Sequence, residues 1–253
     1  MPPPNLDPSK TMAPMPPRPS ASPGSRRLLS AEDLAAFGRQ EAARCALERR
    51  ASAQSKLERA LGRAGIPARF AGRDFACYHA ETRDQQRALA ICRAYAERFT
   101  GVRASGACLV LVGGPGTGKT HLACAILQAV IGAGHSGLFV TISEALRTIR
   151  DTYSPRAKRS ESEAFALFTG PDLLVLDEVG VAIGDDEKRR SLLFDVFNTR
   201  YAERRPTVLI GNLTGDELRA YLGERIMDRV LECGSALVPF NWASYRREKA
   251  AQG

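Results

Sequence analysis

Residues 113–120 constrain the fold of this chain more than any other stretch. They spell GGPGTGKT, which matches the pattern G-x-x-x-x-G-K-[ST] of a loop that wraps around phosphate groups. An apolar run at 107–112 predicts a buried strand before the loop, and residues 121–127 predict a helix after it. In this order of elements, backbone N–H groups and a helix N-terminus bind phosphate. The motif therefore predicts a P-loop nucleotide-binding fold.

The residue types of the P-loop indicate what each would contribute. Lys119 is expected to reach the β- and γ-phosphates, and the Thr120 hydroxyl is expected to bind Mg²⁺. The expected cofactors are therefore ATP or ADP and Mg²⁺. The predicted nucleotide-binding residues are Gly113, Gly114, Pro115, Gly116, Thr117, Gly118, Lys119, Thr120 and His121.

A second motif, LLVLDE at residues 173–178, places two acids at the end of another buried strand. Asp177 is expected to hold Mg²⁺ through water, next to Thr120. Glu178 is expected to orient and deprotonate an attacking water, which is the role of a general base. An acid pair at a strand end can also be a solvated turn, and the P-loop upstream favours the functional interpretation.

Charge and composition bound the class of protein. The chain has 253 residues and a net charge of +8, of which +6 lies in residues 1–70. The nearly neutral remainder gives no sign of nucleic-acid binding from bulk charge, whereas the basic N-terminal part could meet DNA or an acidic protein. No apolar stretch reaches the length of a membrane span, and the six cysteines form no C-x-x-C pair. We expect a reduced, cytoplasmic protein with no membrane partner.

The organisation along the chain predicts three regions. Residues 1–27, rich in Pro and Ser, are expected to be disordered, and 28–64 to form a helical partner-binding region. Residues 65–253 are expected to form the nucleotide-binding domain, with 62–75 as a linker. In this domain, helical and strand patterns alternate, which predicts an α/β fold with a parallel sheet covered on both faces. The ligand then belongs at the carboxyl ends of the strands.

The motif order resembles the AAA+ ATPases, and more narrowly the DnaC helicase-loader family with its IstB-like relatives. Five segments carry the resemblance, which spans roughly residues 65–247. They are GPGTGKTHLA at 114–123, LLVLDEVG at 173–180, Asn212-Leu213, LGERIMDR at 222–229 and FNWASYR at 240–246. The last two are the specific ones, because the P-loop alone would fit many ATPases. The resemblance implies a three-layer AAA+ domain without a C-terminal lid domain.

The resemblance also assigns further site residues. Asn212 is similar to the sensor-1 residue at the end of a central strand, although a helix cap would also suit it. Arg229 resembles the arginine finger that reaches a neighbouring subunit's nucleotide, with Arg225 as the competing candidate. Arg246 resembles the sensor-2 residue that contacts the phosphates. Trp242 is expected to pack rather than to stack on DNA.

The stretch 143–168 lies where related initiators and loaders carry a helical insertion that faces single-stranded DNA. A solvated charged face is the competing interpretation, and the acidic turn at 184–187 argues against DNA contact. Tyr153 could add stacking. The basic residues expected to contact the DNA backbone are Arg147, Arg150, Arg156, Lys158 and Arg159.

The resemblance implies an ATP-dependent loader of the replicative helicase onto single-stranded DNA. Its N-terminal helices would grip the hexameric helicase, and several copies would assemble through the arginine finger. The alternative is an IstB-like helper ATPase that acts with a transposase on DNA. A third hypothesis, an ATP-controlled binding module with negligible turnover, is disfavoured by the presence of Glu178, Asn212 and Arg229.

Overall fold

A computed structural model describes residues 64–181, 186–245 and 247, and its core is a five-stranded, wholly parallel sheet. The strand order across the sheet is β2-β3-β4-β1-β5. The strands are β1 (Leu109–Gly113), β2 (Gly137–Thr141), β3 (Leu173–Val179), β4 (Thr207–Gly211) and β5 (Ala236–Phe240).

Helices connect successive strands, and this confirms the predicted α/β fold. Two 3-10 turns, Ala68–Phe70 and Asp151–Tyr153, accompany them. The helices are α1 (Arg83–Glu97), α2 (Phe99–Ser105), α3 (Lys119–Gly132), α4 (Ile142–Arg150), α5 (Glu161–Thr169), α6 (Asp186–Ala202), α7 (Gly215–Leu222) and α8 (Glu224–Glu232).

The sheet is buried on both faces over β1 to β4, because alternate residues of these four strands enter different clusters, whereas Leu237 and Pro239 of β5 are exposed. Leu109 and Leu111 of β1 face the cluster that contains α1 and α3. Val110 and Val112 face the cluster built with α4 to α8. This alternation explains why the strands read as continuous apolar runs, which is typical of parallel sheets covered on both sides. Because all five strands run parallel, their carboxyl ends lie at one edge of the sheet.

Local capping differs from the sequence expectation at α4. Ser143 looks like the helix cap in the sequence, but Thr141 is the residue that caps it. The Thr141 side chain accepts the N–H of Glu144, and the Glu144 carboxylate accepts the N–H of Thr141. This reciprocal capping box satisfies two backbone donors, whereas a lone serine satisfies one. The helix therefore begins at Ile142, directly after β2 ends at Thr141.

The predicted linker at 62–75 is wrong for the residues that the structure describes. Ala64 is fully buried, and its carbonyl accepts the N–H of Phe139 on β2 at 2.6 Å. Further along, the Gln128 side chain on α3 accepts the N–H of Gly72 and donates to the carbonyls of Phe70 and Arg73. This segment is held by a backbone hydrogen bond to β2 and by hydrogen bonds with the Gln128 side chain of α3, so it belongs to the nucleotide-binding domain.

Several expectations lie outside the described residues. They are the disordered tail at 1–27, the helical region at 28–64 apart from Ala64, the acidic turn at 184–187 apart from residues 186 and 187, and a last helix that the sequence predicts at 245–251, apart from residues 245 and 247. Arg246, the predicted sensor-2 residue, is also among them. The chain divides into two compact units, Met1–Arg50 and Ala51–Gly253, and the fold above is that of the second.

Candidate nucleotide site

The P-loop joins β1 to α3 at the carboxyl edge of the sheet. Lys119 is the first residue of α3, and its side chain turns back into the loop. Its Nζ donates to the carbonyls of Gly113 and Gly114, each at 2.7 Å. Thr117 Oγ1 donates to the same Gly114 carbonyl at 2.9 Å. The buried ammonium of Lys119 thus lies inside the turn of the P-loop, where it would contact a bound phosphate.

Thr120 and Asp177 meet as the sequence predicted. Thr120 Oγ1 donates to Asp177 Oδ2 at 3.0 Å, although the two residues lie on α3 and β3. Burial raises the pKa of Asp177 above its usual value, while the N–H of Glu178, the Thr120 hydroxyl and the charge of Lys119 oppose that rise. A hydroxyl and a carboxylate side by side are hard oxygen ligands, so this pair fits Mg²⁺.

Glu178 occupies a backbone conformation that non-glycine residues seldom adopt. Its φ is 61°, and its N–H donates to the Asp177 carboxylate at 2.7 Å. The pairing of β3 with β4 is irregular between Leu176 and Val179, so the strand bulges here. The bulge leaves the Glu178 side chain exposed while Val179 returns to the core. A strained residue beside a half-buried carboxylate is typical of a functional site.

Asn212 follows β4, the strand that lies between β1 and β3. Gly211 pairs with Val112 on one side and with Val179 on the other. Asn212 therefore emerges at the sheet edge between the P-loop and the acid pair, and it is exposed. Four of the predicted site residues, Lys119, Thr120, Asp177 and Glu178, share this edge with it.

The N-terminus of α3 is open to a phosphate. Gly118 precedes the helix in a left-handed conformation and offers no side-chain cap. The first backbone N–H groups of any helix lack intrahelical partners, and together they carry a partial positive charge. These donors, with the Lys119 ammonium and the Thr120–Asp177 pair, fit the phosphates of a nucleotide and their Mg²⁺.

Sequence reasoning missed the residues that cover the P-loop from outside. Trp242 Nε1 donates to the Thr117 carbonyl at 3.0 Å, and the Tyr78 hydroxyl donates to the same atom at 3.4 Å. His121, predicted to bind nucleotide, contacts the Tyr78 ring, with ring centroids 5.5 Å apart, and its Nε2 lies 3.0 Å from the Asp74 carbonyl. A single cue was available, the concentration of aromatic residues at 75–79 and 240–245.

Arg229 lies on α8, and its contacts in the described chain are with α6 and its own helix. Its Nε donates to Asn198 Oδ1 at 3.2 Å, and its Nη1 donates to the Arg225 carbonyl at 2.8 Å. The guanidinium also lies 4.9 Å from the centre of the Phe194 ring. Arg225 is exposed, and its guanidinium has no hydrogen bond or ion pair with any described residue. The structure therefore does not bring Arg229 to the P-loop of its own chain.

The basic residues of 143–168 separate into two groups. Arg156, Lys158 and Arg159 line an open groove of about 600 Å³ together with Asp151 and neighbouring small residues. Arg147 and Arg150 are exposed on α4 and do not line it. Tyr153 is also exposed, and its hydroxyl donates to Glu161 at 2.9 Å. Three of the five predicted cations thus share one concave surface.

Among residues 64–181, 186–245 and 247, no helix combines the length and the apolar character that crossing a membrane requires.

Comparison with known proteins agrees with this geometry. The IstB-like ATP binding protein family matches residues 44–253. The replicative helicase loader DnaC of Escherichia coli (strain K12) is 34% identical over 216 residues, which are 85% of this chain and 86% of that protein. DnaC of Buchnera aphidicola subsp. Baizongia pistaciae is 32% identical, covering 76% of this chain and 77% of that protein.

A solved structure supports the same assignment. The crystal structure of the DnaC helicase loader superposes with a TM-score of 0.59 at 25% identity, covering 68% of this chain and 99% of that one. The predicted AAA+ P-loop fold is confirmed by this likeness and by the parallel sheet. The chain therefore belongs to the IstB-like ATP-binding protein family, and it is similar over most of its length to the DnaC helicase loaders.

Proposed function

We propose that this protein is an ATP-dependent loader of the replicative DNA helicase onto single-stranded DNA. The observation that carries the proposal is the Thr120–Asp177 hydrogen bond of 3.0 Å beside the buried Lys119. It supports a complete site for a Mg²⁺-bound nucleotide. The relatives that match 85% and 76% of this chain are helicase loaders, which supports the partner. The protein is accordingly proposed to act in the cytoplasm.

The residues at the sheet edge have separate roles in ATP hydrolysis. Lys119 binds the β- and γ-phosphates, while Thr120 and Asp177 hold Mg²⁺, which would neutralise charge on the phosphates. Glu178, exposed next to Asp177, accepts a proton from the attacking water. Asn212, between the two motifs, orients that water or the γ-phosphate. Arg246 is proposed to contact the phosphates, on the resemblance of its motif alone.

Arg229 is proposed to complete the site of a neighbouring copy. Its bonds to Asn198 and to the Arg225 carbonyl hold the guanidinium on the surface of α8, so its position is set before a neighbour arrives. Arg225 is the alternative donor. Mixing Lys119→Ala with Arg229→Ala chains should restore ATP hydrolysis, because one interface then pairs an intact P-loop with an intact arginine. Restoration with Arg225→Ala but not with Arg229→Ala would transfer the role to Arg225.

The groove lined by Arg156, Lys158 and Arg159 is proposed to hold the backbone of single-stranded DNA. Three cations on one concave surface suit phosphates, and Tyr153, whose chain neighbours Thr152 and Ser154 line the groove, has an exposed ring that suits a base. Arg156→Ala with Lys158→Ala should lower the salt dependence of DNA binding by roughly one unit of slope per lost contact. Arg147→Ala with Arg150→Ala is the matched control, since these residues lie outside the groove. Equal losses in both variants would contradict the assignment.

A second candidate is a helper ATPase that acts with a transposase. The observation that favours it is the match of residues 44–253 to the IstB-like ATP binding protein family. The site at the sheet edge serves both functions equally well. The partner must therefore decide between them.

Capture by the tagged full-length chain is the deciding experiment. The chain should retain the purified hexameric helicase of its host in the presence of Mg-ATP, and it should not retain a transposase of the IstB-associated class. Removing residues 1–50 should abolish capture and leave nucleotide binding intact, because Ala64 and its bond to β2 remain. Retention of the transposase alone would establish the second candidate. Capture by the truncated chain would place the docking surface on the ATPase domain.

A further inference from the structure

Two segments that are distant in the sequence meet at one carbonyl of the P-loop. Trp242, just after β5, and Tyr78, just before α1, both donate hydrogen bonds to the Thr117 oxygen. The distances are 3.0 Å from the indole nitrogen and 3.4 Å from the phenol oxygen. We call Tyr78, Thr117 and Trp242 the Thr117 clamp.

The clamp fixes the direction of a phosphate-binding donor. The peptide bond between Thr117 and Gly118 is trans, so its carbonyl and its N–H point in opposite directions. Two donors that hold the carbonyl on one side therefore turn the Gly118 N–H to the other side. That N–H precedes α3, whose N-terminus has no side-chain cap. It is one of the free donors that a P-loop directs at phosphate.

The aromatic rings are packed tightly enough to do this. A Cβ atom on Gly118 would lie 2.7 Å from Tyr78 Cε2, so the ring rests directly on the loop. Trp242 packs on Phe240, with ring centroids 4.7 Å apart. Burial raises the pKa of Tyr78 to about 12, so its hydroxyl keeps the donated proton at any ordinary pH.

We infer that Tyr78 and Trp242 are positioning residues that hold the P-loop in the shape that binds a nucleoside di- or triphosphate. The inference rests on the proposed nucleotide site and names the residues that shape it. Trp242 belongs to the segment that continues to Arg246, and Tyr78 to the segment that leads back to Ala64.

Calorimetric titration of the full-length chain with Mg-ADP tests the inference. Trp242→Phe keeps an aromatic ring but loses the N–H, so the dissociation constant should rise about three- to tenfold, the usual effect of one lost hydrogen bond. Tyr78→Phe should raise it about two- to threefold, because its bond is longer. The turnover number at saturating ATP should stay within about twofold, since the clamp acts on binding and touches no reacting atom.

Tyr95→Phe is the matched control. Its hydroxyl also donates to a backbone carbonyl, that of Ala107, at 2.9 Å, but it lies at the other end of β1. This variant should bind Mg-ADP like the parent chain. If Tyr95→Phe weakens binding as much as Trp242→Phe, the effect is general loosening of the fold and the inference is wrong.

The single tryptophan gives a second readout in the parent chain. Mg-ADP should change its emission, and the change should be absent in Lys119→Ala, which lacks the phosphate-binding cation. Parent-like ADP affinity in both Tyr78→Phe and Trp242→Phe, with Lys119→Ala unable to bind, would overturn the clamp and leave the nucleotide site standing. Failure of the parent chain to bind Mg-ADP at all would overturn the site and the clamp together.

Discussion

The two ends of the sheet use buried polar groups in opposite ways. At the amino end, Arg200 is almost fully buried and its guanidinium reaches five acceptors. They are the carbonyls of Phe168, Pro171, Asp172 and Pro206, and the hydroxyl of Thr207. At the carboxyl end, the buried Lys119 bonds to carbonyls of the P-loop itself. Arg200 is bound to fixed acceptors of the fold, so it stabilises the folded chain. Lys119 is bound to carbonyls of a ligand-binding loop, so its ammonium can exchange these partners for a phosphate.

Two aspartates of the β3 region repeat this contrast. Asp172 lies just before the strand. Partial burial raises its pKa, but hydrogen bonds from Ser136 and Arg103 outweigh that effect and hold the pKa below its usual value. Asp177 lies near the end of the strand, and burial raises its pKa. The amino end therefore satisfies its charges within the chain. The carboxyl end holds a carboxylate whose ionised form gains most when a cation binds, which is what a Mg²⁺ site requires.

The sharpest test of the contrast is Arg200→Met. Five acceptors would lose their donor in a buried place, so the free energy of unfolding should fall by about 3–5 kcal/mol. Urea denaturation measures this. Arg103→Met is the milder control: Arg103 is partly exposed and bonds to Asp172 and two carbonyls, so the loss should be about 1–2 kcal/mol. Equal, small losses would show that the amino end is not the rigid part.

Lys119→Ala should affect function and spare stability. Affinity for Mg-ATP should fall at least about a hundredfold, because the phosphates lose a buried, charge-assisted hydrogen bond. The free energy of unfolding without nucleotide should not fall, since the substitution removes a desolvated ammonium. Calorimetry and urea denaturation of the same samples give both values. A large loss of stability would mean that Lys119 is as structural as Arg200.

Glu178 allows chemistry and backbone strain to be separated. Glu178→Gln should bind ATP normally and slow single-turnover hydrolysis about a hundredfold, because the water loses its base. Glu178→Gly should slow hydrolysis equally but raise the free energy of unfolding by about 1 kcal/mol, because glycine adopts a φ of 61° without strain. Wild-type hydrolysis by the Gln variant would remove Glu178 from the catalytic residues. If Glu178→Gly instead lowers the free energy of unfolding, the φ of 61° at this residue is not a source of strain.

The smallest effect should come from Asp172→Asn and should depend on pH. The folded pKa of Asp172 lies below the unfolded one, so its contribution is present at neutral pH and is lost as the pH falls through the folded pKa. The variant should be less stable by under about 1 kcal/mol at pH 7, as expected for a partly exposed ion pair. The difference should shrink below pH 4. A difference that does not change with pH would point to packing rather than charge.

Local strings of residues account for what the sequence predicted well. The loop at 113–120 and the pair Asp177–Glu178 each carry their own signal, and the alternation of helical and strand patterns predicted a parallel sheet. The sequence did not reveal elements in which two local effects compete, or contacts between residues that are far apart along the chain. The helix α2 could not be predicted from the sequence, because Gly101 disfavours a helix there and the burial of Phe99 is what stabilises it. The donors to Thr117 are 39 and 125 residues away in the sequence, so the two local concentrations of aromatic residues do not show that they meet at one carbonyl.

The bond between Ala64 and Phe139 has a practical consequence for solubility. A parallel sheet has two outer strands, here β2 and β5, and an uncovered outer strand pairs readily with another chain and aggregates. The residue pair Ala64–Gly65 covers β2, while Pro239 removes a donor from β5. A shortened chain that begins after Ala64 would bare the first of these strands and should precipitate at concentrations where one that begins at residue 51 stays in solution.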